Sequence, residues 1–439
     1  MSLSAKIVER RFNHRNGELL LGGVPVTRLA ELHGTPLFVY DRGIMKEKLD
    51  LLLGALPPSF ELYYSIKANP NQSVLKFFLK QGCGLEIASG GELFQALAAG
   101  CEPDRVLFAG PGKTDAELEY ALHSGIGEIH LESLDEMNSL VEIARRLQRR
   151  AAVAIRVNPA AEAQGGAMRM GGTASAFGID EETLDAVLDR VLPQDLLDFR
   201  GIHLFTGTQI LDHEVLLRQY HRGFEIAQRA ARRAARPLST LDFGGGLGIP
   251  YFDGDRELDI PAFKERLCEL VDTYRGAPEF DGTRFVVEPG RFLVGECGVY
   301  VTRVTSVKES RGKSFVVVDG GMNHHLAASG NLGQVIKRNF PLAILTKHGF
   351  DRDHTATVVG PLCTPLDTLA RDSVIPKPEV GDLVGIFQSG AYARTSSPLG
   401  FLSHPDPPEV MVHEGQVDLI RRRGDYQGML ADQVLPAGT

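Results

Sequence analysis

With 439 residues, a formal charge of −9, 43% hydrophobic and 23% charged residues, the sequence is that of an ordinary globular chain. It is long enough for a barrel of about 250 residues plus one smaller domain, and its acidic balance argues against nucleic acid or an anionic membrane as partner, since both require a clustered basic surface. The five cysteines at 83, 101, 268, 297 and 363 are scattered and never spaced as CxxC, so neither a disulfide framework nor a zinc site is indicated and a reducing, cytoplasmic location is expected.

Met1 to Gly17 carries charges throughout with no apolar h-region, and no run approaches the roughly 18 apolar residues of a membrane span. Residues 1–37 read as strand and turn at Glu18 to Gly23 and a short helix from Val26 to His33, a segment too small to fold alone. From Phe38 onward apolar runs of strand length alternate with helical patterns, the signature of βα units around a parallel sheet. After an opening run at Phe38 to Tyr40 come Leu62–Ile66, Gly84–Ala88, Val106–Ala109, Ile129–Leu131, Val153–Val157, Gly201–Phe205, Leu241–Phe243 and Phe285–Val287. Eight such units close a (β/α)8 barrel, expected over residues 38–291.

Each strand runs out into polar or glycine-rich residues: Lys67, Ser89 to Glu92, Gly110 to Gly112, Glu132, Asn158-Pro159, Thr206 to Gln209, Gly244 to Gly246, and Pro289 to Arg291. These residues gather at one rim, the face where barrel enzymes carry their sites. The stretch Tyr63 to Pro70 stands out, because an apolar strand delivers Lys67 at its end, Asn69-Pro70 stops it, and a helical pattern from Gln72 to Leu79 comes next. Beyond Arg291 the runs Val299–Val307, Ser314–Val318, Ala356–Val359, Leu383–Phe387, Glu409–Val412 and Val417–Ile420 have few helices between them. Residues 292–439 are therefore expected to be an all-β domain, completed by residues 1–37.

Several motifs carry chemistry. Gly244-Gly245-Gly246 ends a strand in a run of glycines whose N–H groups can approach an anion, and the loops after strands 7 and 8 are the usual phosphate site of this fold. Gly110-Pro111-Gly112-Lys113-Thr114 imitates a P-loop, but Leu107 stands where that pattern needs glycine, which excludes a nucleotide triphosphatase. Glu288 and Arg291 place an acid and an arginine at the end of strand 8, either as an ion pair or divided between a cationic ring nitrogen and a phosphate. His203 at the end of strand 6 and Cys363 read by themselves as core residues, and His324-His325 as a surface or packing pair. Arg229, Arg232, Arg233 and Arg236 on one helix, and Arg421 to Arg423, read as solvated faces. The residues alone thus stop at a phosphate-binding barrel with a reactive lysine.

Tyr64-Ser65-Ile66-Lys67-Ala68-Asn69, Glu86 to Glu92, Gly244 to Gly246, Glu288 to Arg291, Gly360 to Cys363 and Gly390-Ala391-Tyr392 resemble, in order, the motifs of the fold-type III pyridoxal phosphate decarboxylases acting on diaminopimelate, ornithine and arginine. The resemblance spans about residues 18 to 425 and implies an alanine-racemase-like barrel with a C-terminal β domain. It implies Lys67 as the lysine that carries pyridoxal 5'-phosphate, His203 stacked on its ring, and Glu288 at the ring nitrogen. Gly245, Gly246, Gly290, Arg291 and Tyr392 would hold the phosphate, with Glu86 and Arg156 also lining the cofactor site. Cys363 would donate a proton, and Thr206, Thr364, Asp367 and Tyr392 would meet substrate. Cys363 and Asp367 would serve the other subunit of a homodimer.

Departures bear on the substrate. Diaminopimelate decarboxylases usually have a glutamate for the distal amine directly after the cysteine, where Thr364 stands; they have Ser-Lys-Phe-Gly where this chain has Ser175-Ala176-Phe177-Gly178, and an arginine near Asn339-Phe340-Pro341. Met168 to Gly172, Thr206 to Gln209, Cys363-Thr364-Pro365 and His404-Pro405 are more similar to a side branch. That branch includes the butirosin-pathway decarboxylase of carrier-bound glutamate and the exosortase-associated decarboxylases. The expectation is a biosynthetic amino-acid decarboxylase, with a substrate that an acyl carrier protein could present. Diaminopimelate decarboxylation is the alternative, then a racemase and a non-catalytic homologue.

Overall fold

Apolar runs buried on both faces need strand partners at both edges, and eight of them here close into a barrel. The computed structural model describes residues 2–160, 168–169, 174–205, 207–334 and 336–436. The barrel strands are β1 Phe60–Ser65, β2 Gly84–Ile87, β3 Val106–Phe108, β4 Glu128–Leu131, β5 Ala151–Asn158, β6 Leu197–Leu204, β7 Thr240–Asp242 and β8 Arg284–Val287. Each pairs in parallel with the next, and β8 pairs with β1. Tyr63, Leu107 and Val286 fill the interior without exposure.

Helices cover the outside. His213–Ala234 buries Val215, Tyr220, Phe224, Ala227 and Ala231 at helical spacing, and the Phe224 ring lies 5.2 Å from both Phe243 and Phe285. Its opposite face carries Arg229, Arg232 and Arg233, paired with Asp185, Glu279 and Asp189. This arginine cluster is a solvated face with its charges matched. Strand β1 ends at Ser65, one residue earlier than the apolar run suggests, and Lys67 lies in a 3-10 turn, Ile66–Ala68. The P-loop-like stretch serves structure: Lys113 donates to the carbonyls of Gly110 and His130, while Thr114 caps the next helix with Glu117 in a reciprocal capping box.

The chain divides into two units, one of Leu49–Ile249 and Arg256–Phe292, the other of Met1–Lys48, Pro250–Asp255 and Leu293–Thr439. The expected boundaries at 38 and 291 thus shift, and the reason is Leu37–Asp41. This buried run belongs to the second unit, where it pairs antiparallel with Gly298–Ser310 and parallel with Glu409–His413. A strand buried on both faces reads alike in a barrel and in a β domain.

In the second unit Gly298–Ser310 is long enough to join two sets of strands. Its first half pairs with Leu37–Asp41 and Leu383–Ile386, its second half with Lys313–Val318. Leu342–Ile344 and Thr368–Ile375, which apolar patterning did not reveal, extend these sets. His324 and His325 are buried packing residues, bonded to Tyr300, Asn323 and Ser389. Among the described residues no helix is long and apolar enough to cross a membrane.

The charged N-terminal helix Leu3–Arg11 is held by one buried acid of its own unit. Glu296, 5% exposed in its side chain, accepts from Arg10 at 2.9 Å, Arg11 at 2.7 Å and Lys48 at 2.8 Å. Burial would raise its carboxyl, yet Lys48 and Arg11 outweigh burial and lower it from 4.5 to about 2. Glu296→Gln removes the buried negative charge that Arg11 and Lys48 share and is expected to cost roughly 3–5 kcal/mol in denaturant unfolding at pH 7. Because the folded carboxyl titrates below the unfolded one, the wild-type advantage should be complete above about 4.5 and vanish as pH falls toward about 2.

Candidate active site

The strand ends of the barrel bring Lys67 to Glu86. Lys67 Nζ donates to both carboxylate oxygens, each at 2.9 Å, and the Ser65 hydroxyl donates to one of them. Glu86 is 1% exposed and the lysine side chain 43%, so the ammonium compensates a buried charge while the lysine side chain itself stays partly open to solvent. Glu92, to which sequence reasoning gave no role, sits in the first turn of the helix Gly90–Ala98 and accepts the Ala88 N–H at 2.7 Å. Burial and then the Glu86 charge raise its carboxyl to about 7. The Ser89-x-x-Glu92 spacing was its available signal, since a capped first turn turns the acid back over the strand end.

A second group lies inside the barrel mouth. His130 of β4, His203 of β6, Asp242 of β7 and Glu288 just beyond β8 each place one nitrogen or oxygen within 4.8 Å of the others, and all four are buried. His203 Nε2 is 3.4 Å from Glu288 Oε2, and its ring centroid is 4.3 Å from that of His130. Burial, then the fields of His130 and Arg156, depresses the His203 pKa, so the ring is neutral. Among the described residues neither His203 nitrogen has a hydrogen-bond partner, and no amide or hydroxyl donates to Glu288 Oε1. A buried carboxylate oxygen in this state fits a protonated ring nitrogen, and a neutral imidazole beside it fits the stacking role. His130 and Asp242 escaped assignment because each lies within a run read only as an apolar strand.

The loop after β7 forms a cradle. Gly244 and Gly246 have φ of +66° and +103°, and a Cβ on Gly245 would lie 2.6 Å from the Glu288 carbonyl oxygen. The Gly244 N–H donates to Asp242 Oδ1 at 2.7 Å, and its carbonyl accepts from Glu288 N at 2.8 Å. Gly290 leaves room for the lysine turn, since a Cβ there would meet that of Ala68 at 2.9 Å. Arg291 opens the short helix Arg291–Val294 directly after this contact. Lysine, glycine cradle, acid and flat neutral ring together match what pyridoxal phosphate requires.

Arg156 of β5 is committed within the rim. Its Nη1 donates to Glu132 at 2.7 Å, and its guanidinium lies 4.9 Å from the Phe177 ring centroid and 5.9 Å from that of Phe205. Glu132 also accepts the N–H groups of Gly110 at 2.6 Å and Gly178 at 3.0 Å. Burial opposes its ionisation, yet Arg156, Lys113 and the Gly110 N–H together hold its carboxyl below the usual range. Thr206 and most of the Met168 to Gly172 stretch lie outside the described residues.

Cys363, Thr364, Asp367 and Tyr392 belong to the second unit. Cys363 is exposed on the loop Gly360 to Asp367, and Tyr392 has left-handed backbone with φ of 53°. Asp367, expected to meet substrate, is 2% exposed, and its oxygens accept the N–H groups of Met322 at 2.7 Å and Leu362 at 2.9 Å. It is the internal brace of the cysteine loop.

Residues 42–295 match the family described as pyridoxal-dependent decarboxylase, pyridoxal binding domain. L-glutamyl-[BtrI acyl-carrier protein] decarboxylase of Niallia circulans is 37% identical over 93% of this chain and 96% of its own. Diaminopimelate decarboxylase of Zymomonas mobilis is 32% identical over 96% and 98%. The crystal structure of diaminopimelate decarboxylase from M. jannaschii superposes with a TM-score of 0.89 at 24% identity, covering 98% of each chain, a likeness of fold.

Two substitutions check the geometry. Gly245→Ala forces a Cβ against the Glu288 carbonyl and is expected to weaken pyridoxal phosphate binding about tenfold or more, as an overpacking cost of about 1–3 kcal/mol implies, read by absorbance titration of the apo-protein. Asp367→Ala strands two backbone donors and is expected to lower unfolding free energy by about 2 kcal/mol or more.

Proposed function

The chain belongs to the pyridoxal-dependent decarboxylases, and we propose that it removes the α-carboxylate of an amino acid whose far end is carried by a carrier protein. The observation behind this is the cysteine loop. Diaminopimelate has a distal ammonium that needs a carboxylate, and the position after Cys363 is the neutral Thr364, whose hydroxyl accepts the Leu366 N–H at 3.3 Å. The remaining acid of the loop, Asp367, is consumed by backbone N–H groups. A site lacking a charged partner discriminates poorly for the charged end, whereas an acyl chain attached to a carrier presents none. The identity to a glutamyl carrier-protein decarboxylase supports the same reading. The matched arginines of His213–Ala234 do not add to it.

Bound pyridoxal phosphate supplies an electron sink for the pair left when carbon dioxide departs. The side chains do the rest. Lys67 would hold the cofactor, and Glu86 keeps that lysine at the rim. Glu288 would favour a protonated ring nitrogen, because a nearby negative charge favours the cationic form. His203 would meet the ring, while the N–H groups of Gly245 and Gly246, with Gly290, Arg291 and Tyr392, would hold the phosphate. Arg156 braces the rim through Glu132. The Cys363 thiol returns a proton to the α-carbon, in the site of a second chain of a homodimer, so each site draws on two copies.

Diaminopimelate decarboxylation is the second reading, favoured by the relative from Zymomonas mobilis. Carbon dioxide release separates the two: L-glutamyl carrier protein is expected to be turned over and free meso-diaminopimelate to be at least about 100-fold poorer in kcat/KM. The reverse order would establish the second reading. For the shared site, mixing inactive Lys67→Ala and Cys363→Ala chains is expected to restore about one quarter of wild-type activity, the share of intact sites in a random population of C2 dimers. No recovery after verified subunit exchange would place Cys363 in its own chain's site.

A further inference from the structure

Three acids meet in the barrel interior, and among the described residues their ion-pair partners are histidines. Asp242 is 0% exposed, Glu128 1% and Glu288 5%. His130 Nε2 stands 3.2 Å from Glu128 Oε1 and 3.9 Å from Asp242 Oδ2, while His203 faces Glu288. Asp242 and Glu288 each place an oxygen within 4.8 Å of the other, and two carboxylates this close and this dry cannot both be ionised, so a proton is held between them. Asp242 Oδ2 and Glu288 Oε1 have no donor from any other described group, the arrangement left when two acids bond through a proton that belongs to one of them. Asp242 is the member that keeps it. It is the most buried, and desolvation, then the charge of Glu288, raises its carboxyl well above the usual range.

The other oxygen of Asp242 has a separate task. Oδ1 accepts the N–H of Gly244, the first glycine of the cradle, at 2.7 Å, and Gly244 in turn accepts the backbone N–H of Glu288 at 2.8 Å. One side chain thus touches both the acid and the loop to which the cofactor's two ends are assigned.

We propose that Asp242 is a positioning residue of this site: as a neutral acid it donates its proton to Glu288, fixing that carboxylate as the ionised acceptor, and through Gly244 it holds the glycine cradle in register with it. The inference rests on the reading that Glu288 meets the ring nitrogen. An amide should therefore replace Asp242, because asparagine keeps an oxygen for the Gly244 N–H and offers an N–H to Glu288. Leucine keeps the approximate volume and supplies neither.

The test measures pyridoxal phosphate affinity of the apo-protein without substrate, by absorbance titration, for Asp242→Asn, Asp242→Leu and Glu288→Gln. Asp242→Asn is expected to bind within about threefold of wild type and Asp242→Leu about tenfold or more weaker, the loss of a buried hydrogen bond to a charged group. Equal loss in both variants would show that Asp242 must be ionised and overturn the proposal, as would wild-type affinity in Asp242→Leu. Should Asp242→Leu fail to fold, infrared difference spectra of wild type against Asp242→Asn at neutral pH decide: a carboxylic-acid carbonyl band lost in the variant supports the proposal, and its absence from the wild type overturns it. Glu288→Gln separates the parent reading. If it leaves affinity and the pH dependence of the bound cofactor's absorption unchanged, the assignment of Glu288 to the ring nitrogen fails, whereas if it alters both while Asp242→Leu alters neither, only the role of Asp242 falls.

Discussion

An acid buried in a barrel mouth must have its charge answered by side chains from neighbouring strands, and the candidate site is organised by how three acids meet that demand. Glu86 takes the ammonium of Lys67 and the hydroxyl of Ser65. Glu132 takes Arg156 and two backbone N–H groups. Glu288 has a neutral histidine and a second acid beside it, and among the described residues no amide or hydroxyl donates to its Oε1. The three differ in readiness to receive a ligand. Glu132 is saturated and braces the rim, Glu86 holds a lysine it can yield, and Glu288 is left poised for a cation.

The second unit applies the same rule to its own acids. Glu296 gathers Arg10, Arg11 and Lys48 and so fastens the N-terminal helix. Asp367 spends its oxygens on the backbone of the loop that presents Cys363. With its acid used as scaffold, the loop is left with an exposed thiol at Cys363 and the neutral, half-buried Thr364.

The sequence was most informative where polarity interrupts an apolar strand at its end. Lys67, Glu288 and the glycines at 244 to 246 stand at such points, and the structure brings them to one rim. It was least informative inside strands. His130 and Asp242 are surrounded by apolar neighbours, so local pattern absorbed them into the core, and only the closing of β4, β6 and β7 around one space reveals them as a group. Leu37–Asp41 went to the wrong unit because burial on both faces leaves no mark of which sheet provides it. The helix Leu3–Arg11 was missed because it buries only Ser4 and Val8 and draws its hold from distant charges. Asp367 was assigned to the substrate on the family resemblance, whereas its hydrogen bonds depend on Met322, 45 residues away.

All of this turns on Lys67 as the residue that carries the cofactor. Borohydride reduction of the intact, cofactor-loaded protein, with subsequent peptide mapping, tests that claim directly. The pyridoxyl group is expected on the peptide holding Lys67 and to be missing from Lys67→Ala treated alike. Its appearance on another lysine, such as the buried Lys113, would contradict the account.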